Sequence, residues 1–156
     1  MEKTWFITGS SRGFGREITE AALKRGDRVV ATARKPDQID DLSEAYGEHV
    51  LTYAFDVTDP AAANSAFGAA LNTFGSLDIV VNNAGCADSA PIEEMSEKSF
   101  RDQIETNLFG VVNVTKAALP IFHPAPACRS PDRLHRRIIR WSGPLQPRAR
   151  VHPPDR

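Results

Sequence analysis

At 156 residues with 41% apolar side chains, the chain is long enough for one domain with a filled core. It has no apolar run of membrane-spanning length and no charged-then-apolar leader after Met1-Glu2-Lys3-Thr4. Its two cysteines, Cys86 and Cys128, have neither metal-ligand nor CxxC spacing, so a soluble cytoplasmic protein without a disulfide framework or a metal site is expected. The net charge of −1 hides an asymmetry: residues 1–122 hold 11 Lys and Arg against 18 Asp and Glu, while residues 123–156 hold 8 Arg against 2 Asp.

Trp5-Phe6-Ile7 is too apolar for a surface loop and too short for a helix, which predicts a buried strand. Thr8-Gly9-Ser10-Ser11-Arg12-Gly13-Phe14-Gly15 follows, and then a helix with Phe14, Ile18, Ala21 and Ala22 expected on its inner side. A glycine turn between strand and helix brings backbone N–H groups close to a ligand at the positive end of the helix dipole. A dinucleotide pyrophosphate is therefore the first ligand it suggests. Lys24-Arg25-Gly26-Asp27 closes the helix with cations and a glycine cap.

Arg28–Arg34 is predicted as the second strand, followed after Pro36 by a helix carrying Ile39, Leu42, Ala45 and Tyr46 inward and ending near Gly47. Val50–Phe55 is the third strand and closes on Asp56-Val57. Asp59-Pro60 pairs a side-chain acceptor with a residue that needs no N–H, a helix start; Ala63, Phe67, Ala70, Leu71 and Phe74 form the buried stripe, and Gly75 stops it. Leu77–Val81 is the fourth strand and delivers Asn82-Asn83-Ala84-Gly85. A long helix is expected from about Ser96 to Leu119, with Phe100, Ile104, Leu108, Val111, Val112, Thr115 and Leu119 facing inward. Strict alternation of strands and helices predicts an α/β doubly wound parallel sheet of the Rossmann kind, built from four strand-helix units.

At His123 the texture changes, because residues 123–156 contain 7 of the 11 prolines and no lysine or glutamate. A dinucleotide-binding domain over residues 1–122 and an irregular or disordered tail over 123–156 are expected, with strand four left at the edge of the sheet. His123, His135 and His152 are too dispersed for a metal site, and the arginines lack interleaved aromatics or a recognisable nucleic-acid module.

The spaced set Thr8-Gly9-x-x-x-Gly13-x-Gly15, Asp56-Val57, Asn82-Asn83-Ala84-Gly85 and Asn107 resembles the short-chain dehydrogenase/reductases over roughly residues 3–122. The resemblance implies an NAD(P)-dependent oxidoreductase exchanging a hydride between nicotinamide and a carbonyl or alcohol substrate. It implies that Gly9, Ser11, Gly13 and Gly15 shape the pyrophosphate turn with the backbone of Phe14 near the cofactor. Asp56 would bond the adenine amine, Val57 would line the adenine pocket, and Asn83, Ala84 and Gly85 would border the ribose and nicotinamide. Asn82 would brace the sheet. Asn107 would support a water in the proton relay, and the long helix would offer an oligomer contact. A 2'-phosphate calls for cations at the end of strand two where a 2'-hydroxyl calls for a carboxylate. Arg34-Lys35 stand there and Arg12 lies in the turn, so NADP is expected over NAD.

One family element is missing from the 156 residues. The acid/base of the resemblance is a tyrosine with a lysine four residues on, yet the only tyrosines are Tyr46 and Tyr53, each followed at that spacing by valine, and Lys116 is the last lysine. Ser142, after Arg137-Ile138-Ile139-Arg140-Trp141, only faintly echoes the family's strand-five serine. Ala118-Leu119-Pro120 resembles the end of the family's fourth helix, and the resemblance stops soon afterwards, which suggests a truncated or frameshifted chain with the tail read out of frame. The expectation is an oxidoreductase inactive as this chain; the alternatives are a catalytically silent NADP-binding module or sensor, and a non-functional fragment.

Overall fold

The structure, a computed structural model, describes residues 2–123 and 137–140. Cys128, His135, Ser142, His152 and the remainder of the Pro- and Arg-rich tail lie outside the described residues.

Five parallel strands form one sheet: β1 (Thr4–Ile7), β2 (Arg28–Ala33), β3 (Val50–Ala54), β4 (Ile79–Asn82) and β5 (Arg137–Arg140), in the order β3-β2-β1-β4-β5. The doubly wound parallel sheet is therefore the fold found. The fifth strand corrects the sequence reading: β4 is not an edge, because Ile138 and Ile139 pair in register with Val80 and Val81. Only four residues form that strand, and their proline-rich flanks hid it.

Side chains alternate across the sheet and feed two cores. On one face, Ile7, Val29, Ala31, Ile79 and Val81 pack with Ala22 and Leu23 of α1 (Gly13–Lys24), Ile39 of a 3₁₀ turn (Pro36–Ile39) and Leu42 of α2 (Asp40–Tyr46). On the other face, Phe6, Val30 and Val80 pack with Phe67, Ala70 and Phe74 of α3 (Pro60–Phe74) and with Val114 and Ala118 of α5 (Gly110–Phe122). The Phe6 and Phe67 rings stack at 4.3 Å between centroids. Strands covered on both faces read as continuous apolar runs, and this is why Phe6-Ile7 and Ile79–Val81 were legible without alternation.

The caps follow the chemistry of the sequence. Asp59 accepts from the backbone N–H groups of Ala61 and Ala62, and Gly75 ends α3 in the left-handed region. Ser96 caps α4 (Glu97–Ile104) by accepting from Ser99 N–H.

The expected long helix departs from its predicted phase. It is α4, then a single π-helical stretch (Glu105–Phe109), then α5. The wide turn shifts the phase of α5, in which Gly110, Val114 and Ala118 are buried and Leu119 is exposed; Phe100 and Ile104 ahead of the turn and Leu108 within it are exposed as well. Gly110 is required there for packing: a Cβ on it would lie 2.6 Å from Cγ2 of Val57. The inner faces of the first two helices also shift. Gly15, Thr19, Ala22 and Leu23 are the buried residues of α1, while Phe14 and Ala21 are exposed; in α2 Leu42 is buried and Ala45 is exposed.

Asp27 anchors the start of the sheet. Its carboxylate accepts from Lys3 N–H at 3.0 Å, from Trp5 Nε1 at 2.9 Å and from Arg25 Nε at 3.0 Å. Burial opposes its charge, but the hydrogen bonds from Arg25, Lys3 and Trp5 prevail and hold its pKa below the ordinary carboxylate value. A lowered folded-state pKa gives stability that is complete above the unfolded value near 3.8 and is lost as pH falls through the folded value. Asp27→Asn is therefore expected to lower the urea midpoint at pH 7, with the gap from the wild-type chain closing as the pH drops below that range. A gap of equal size at acid and neutral pH would contradict the assignment.

Candidate functional site

The chain runs from β1 outward to β2 and β3 on one side, then returns to β4 and β5 on the other. Ligands of open α/β sheets bind outside the carboxyl ends of the strands where this reversal occurs, here between β1 and β4. The motif residues converge at that place.

The junction is built on Thr8. Its hydroxyl donates to the carbonyl of Val81 at 3.2 Å and accepts from the backbone N–H groups of Asn83 and Ala84, each at 2.9 Å. Asn83 responds by donating its side-chain amide to the carbonyls of Thr8 at 2.9 Å and Gly9 at 3.1 Å. The end of β1 and the end of β4 are thereby locked together, and Asn83 braces the glycine turn from below. In the sequence Thr8 stands out only as a motif position; the signal for its role is a hydroxyl at the end of a buried strand, which must find partners.

Two glycines of the turn are dictated by contact. Gly9 has φ +72°, and a Cβ there would stand 3.0 Å from Cα of Ala84. At Gly15 a Cβ would overlap the Gly9 carbonyl and the Asn83 amide, so α1 presses directly on the turn. Behind it, Ser10 is fully buried, donates its hydroxyl to Ile7 O at 3.1 Å, and gives its N–H to Thr32 O at 2.8 Å, which sets the turn beside the end of β2.

The start of α1 differs from the starts of α3 and α4. Its N-cap, Arg12, makes no side-chain capping bond, so the first amides of the helix have no capping side chain. Ser11, Arg12, Gly13 and Phe14 surround this opening, with the Phe14 ring about half exposed. Orphan N–H groups and the positive end of the helix dipole suit an anion such as a pyrophosphate.

Three cations lie on the chain at this end of the sheet, Arg12 at the N-cap of α1 and Arg34 and Lys35 directly after β2, whose Thr32 carbonyl accepts from the turn's Ser10 N–H. Arg12, Arg34 and Lys35 are exposed, and their side chains make no hydrogen bond or ion pair among the described residues. Neighbouring arginines are engaged: Arg16 binds Glu20 at 2.7 Å and Asp41 at 2.9 Å, which raises its pKa, and Arg25 binds Asp27. Beyond β3, Asp56 Oδ1 accepts from the N–H and hydroxyl of Thr58 at 2.9 and 2.8 Å, and Oδ2 has no partner among the described residues. The Val57 side chain is buried in the core against Gly110, and its carbonyl accepts from Asn113 Nδ2 at 3.0 Å.

Asn107 lies in the π-helical stretch and treats Cys86 as a peptide partner. Its Oδ1 accepts from Cys86 N–H at 3.0 Å and its Nδ2 donates to Cys86 O at 2.7 Å. The side chain thus holds the exposed loop that begins at Gly85, while Ala84 stays at the junction. Asn82 ends β4 with its side chain buried and its Nδ2 unpartnered among the described residues, so any bracing it gives comes through the backbone. Tyr46 ends α2 and Tyr53 lies in β3, on the opposite side of the sheet from β5. No described helix is long and apolar enough to cross a membrane.

Comparison with known proteins agrees with this geometry. The sequence profile of the family described as short chain dehydrogenase matches residues 3–128. Oxidoreductase BOA17 of Botryotinia fuckeliana is 51% identical over 122 residues, covering 78% of this chain and 44% of that protein. The structure of ElxO with NADP bound superposes with a TM-score of 0.70 at 32% identity, covering 76% of this chain and 50% of ElxO. A 3-ketoacyl-(acyl-carrier-protein) reductase from Brucella melitensis complexed with NADH gives a TM-score of 0.74 at 31% identity, over 77% of this chain and 50% of the reductase. The chain spans about half the length of the relatives it matches.

The Thr8 hydroxyl can be tested directly. Thr8→Val keeps the shape and leaves the N–H groups of Asn83 and Ala84 without their acceptor, so a loss of about 1–3 kcal/mol in urea unfolding is expected, with Thr8→Ser close to the original. Equal midpoints for the valine variant and the original chain would show that the hydroxyl is not the joint.

Proposed function

Because this chain belongs to the short-chain dehydrogenase family, we propose that it is the NADP-binding half of an oxidoreductase that exchanges a hydride with a carbonyl or alcohol substrate. The single observation that carries this reading is that Arg12, at an uncapped helix start, and Arg34 and Lys35, just past the end of β2 to which that turn is bonded, have no partner among the described residues. Unpaired cations gathered at one opening suit an anion, and a 2'-phosphate is the group that separates NADP from NAD.

In this reading Gly9, Ser11, Gly13, Phe14 and Gly15 receive the pyrophosphate through backbone amides. Arg12 and Arg34 take the 2'-phosphate. The free Oδ2 of Asp56 accepts from the adenine amine, with the buried Val57 side chain supporting that wall from behind. Ala84 and Gly85 border the ribose and nicotinamide, and Asn83 acts on them by fixing the turn. The dinucleotide supplies a hydride donor or acceptor at the nicotinamide. Asn107 is a positioning residue, since its amide is committed to Cys86 and holds the loop that borders the nicotinamide side.

The 156 residues contain no Tyr-x-x-x-Lys, and loss of a positioned acid/base lowers rates by about 10²–10⁴-fold. We therefore propose that this chain by itself binds the cofactor without appreciable turnover, which makes it a silent nucleotide-binding module unless the acid/base is supplied from elsewhere. Calorimetric titration separates the readings. NADPH is expected to bind at least tenfold more tightly than NADH, and Arg34→Ala to weaken NADPH about tenfold, worth ~1.4 kcal/mol, while leaving NADH unchanged. Equal affinities would remove the 2'-phosphate assignment, absence of binding would remove the cofactor reading, and robust carbonyl reduction by the chain alone would remove the inactive one.

A further inference from the structure

The helix layer over the α3–α5 core holds an open cavity of about 390 Å³, lined by Pro60 and Asn64 of α3 and by Asn113, Lys116 and Ala117 of α5. None of the five belongs to the cofactor site. Helical spacing brings them to one place: Pro60 and Asn64 are one turn apart on α3, and Asn113, Lys116 and Ala117 stand at i, i+3 and i+4 on α5. The volume falls within the span of small-ligand sites, about 300–1,000 Å³. Its polar groups are sorted by the bonds they already make. Asn64 Nδ2 donates to Pro60 O at 3.3 Å and Asn113 Nδ2 donates to Val57 O at 3.0 Å, so each amide is held by its nitrogen and its Oδ1 has no donor among the described residues. Lys116 is exposed, and its ammonium has no partner among the described residues.

We propose that this cavity binds a small zwitterion, a free α-amino acid with an apolar side chain. Its carboxylate pairs with Lys116, its ammonium donates to Oδ1 of Asn64 and Asn113, and its side chain lies against Pro60 and Ala117. Charge sets this orientation. Both helices start at the end of the sheet where Val57 lies, with Asn113 bonded to Val57 there and Lys116 about one turn further on. At the near end stands Asp59, next to Pro60, whose carboxylate already caps α3 through the N–H groups of Ala61 and Ala62. The cavity is thus negative and acceptor-rich at one end and positive at the other. A simple anion meets Lys116 but finds no donor at either Oδ1 and is repelled by Asp59. A simple amine meets the oxygens but has nothing to offer the ammonium of Lys116. A ligand carrying both charges satisfies both ends. Exposed ion pairs are individually weak, so the affinity is on the order of millimolar.

The test titrates leucine into the full, isotope-labelled 156-residue chain and follows its amide resonances by NMR. Isocaproate, which lacks only the ammonium, and isopentylamine, which lacks only the carboxylate, are the paired probes. Leucine is expected to shift the resonances of Asn64, Asn113 and Lys116 saturably, and each half-probe to bind about tenfold more weakly. Lys116→Gln and Asn64→Leu, made separately at exposed positions and checked for folding by circular dichroism, are each expected to weaken leucine about fivefold. The proposal is overturned if leucine gives no saturable shift, if the shifts fall away from the cavity, if either half-probe binds as tightly as leucine, or if both folded variants bind leucine as the original chain does. Neither result depends on whether the glycine turn binds NADPH, because no lining residue belongs to that site.

Discussion

The hydroxyl of Thr8 is the joint on which the site depends. It stands where two parallel strands end side by side: its oxygen accepts the N–H groups of Asn83 and Ala84, and its proton goes to the Val81 carbonyl, which also takes the last ladder bond from Thr8 N–H. A buried N–H without an acceptor is costly, so this one oxygen determines how closely the ends of β1 and β4 can approach. The Asn83 amide then bonds back to Thr8 and Gly9 and occupies the space into which a side chain on Gly15 would project. The glycines are therefore a consequence of that joint as much as of any ligand: strand end, loop and helix meet too closely for a Cβ.

Electrostatics divides the arginines at this end of the molecule into two groups. Arg16 ties α1 to α2 through Asp41 and reinforces its own helix through Glu20, and Arg25 completes the shell around the buried Asp27. These cations serve the fold. Arg12, Arg34 and Lys35 have no such duties among the described residues and gather where the turn meets the end of β2, a proximity enforced by the backbone bond from Ser10 to Thr32. A residue type common to both groups thus has two different roles, and only its partners tell them apart.

The π-helical stretch has a similar double consequence. It offers the Asn107 side chain to Cys86 as a surrogate peptide, and the loop is held further along by Asp88, whose N–H donates to Gln103 Oε1 at 3.1 Å and whose carboxylate accepts from the Ser99 hydroxyl. It also resets the phase of the helix behind it, which turns Gly110, Val114 and Ala118 toward Val57 and α3 and leaves Leu108 and Leu119 outside. The same geometric insertion that seats Asn107 against Cys86 therefore also sets which residues of α5 face the core.

By itself the sequence determined the alternation of strands and helices, the parallel doubly wound sheet, the caps at Asp59 and Gly75, and the glycine turn, because each is written locally in apolar runs, in turn chemistry and in residues that tolerate positive φ. It could not reveal β5, whose four residues have meaning only against the edge of β4. Nor could it show that Leu119 points outward, since helical periodicity assumes a constant 3.6 residues per turn and a single wide turn shifts everything beyond it, or that Phe100 and Ile104, ahead of that turn, are exposed among the described residues. Tertiary structure alone decided that Thr8 is the joint, that Asn83 braces the turn, that Val57 belongs to the core, and that Arg12 and Arg34 have no partner among the described residues while Arg16 does. Each of those outcomes depends on contacts between residues distant in the chain, and the energy of a hydrogen bond or a close packing contact exists only once the fold has brought them together.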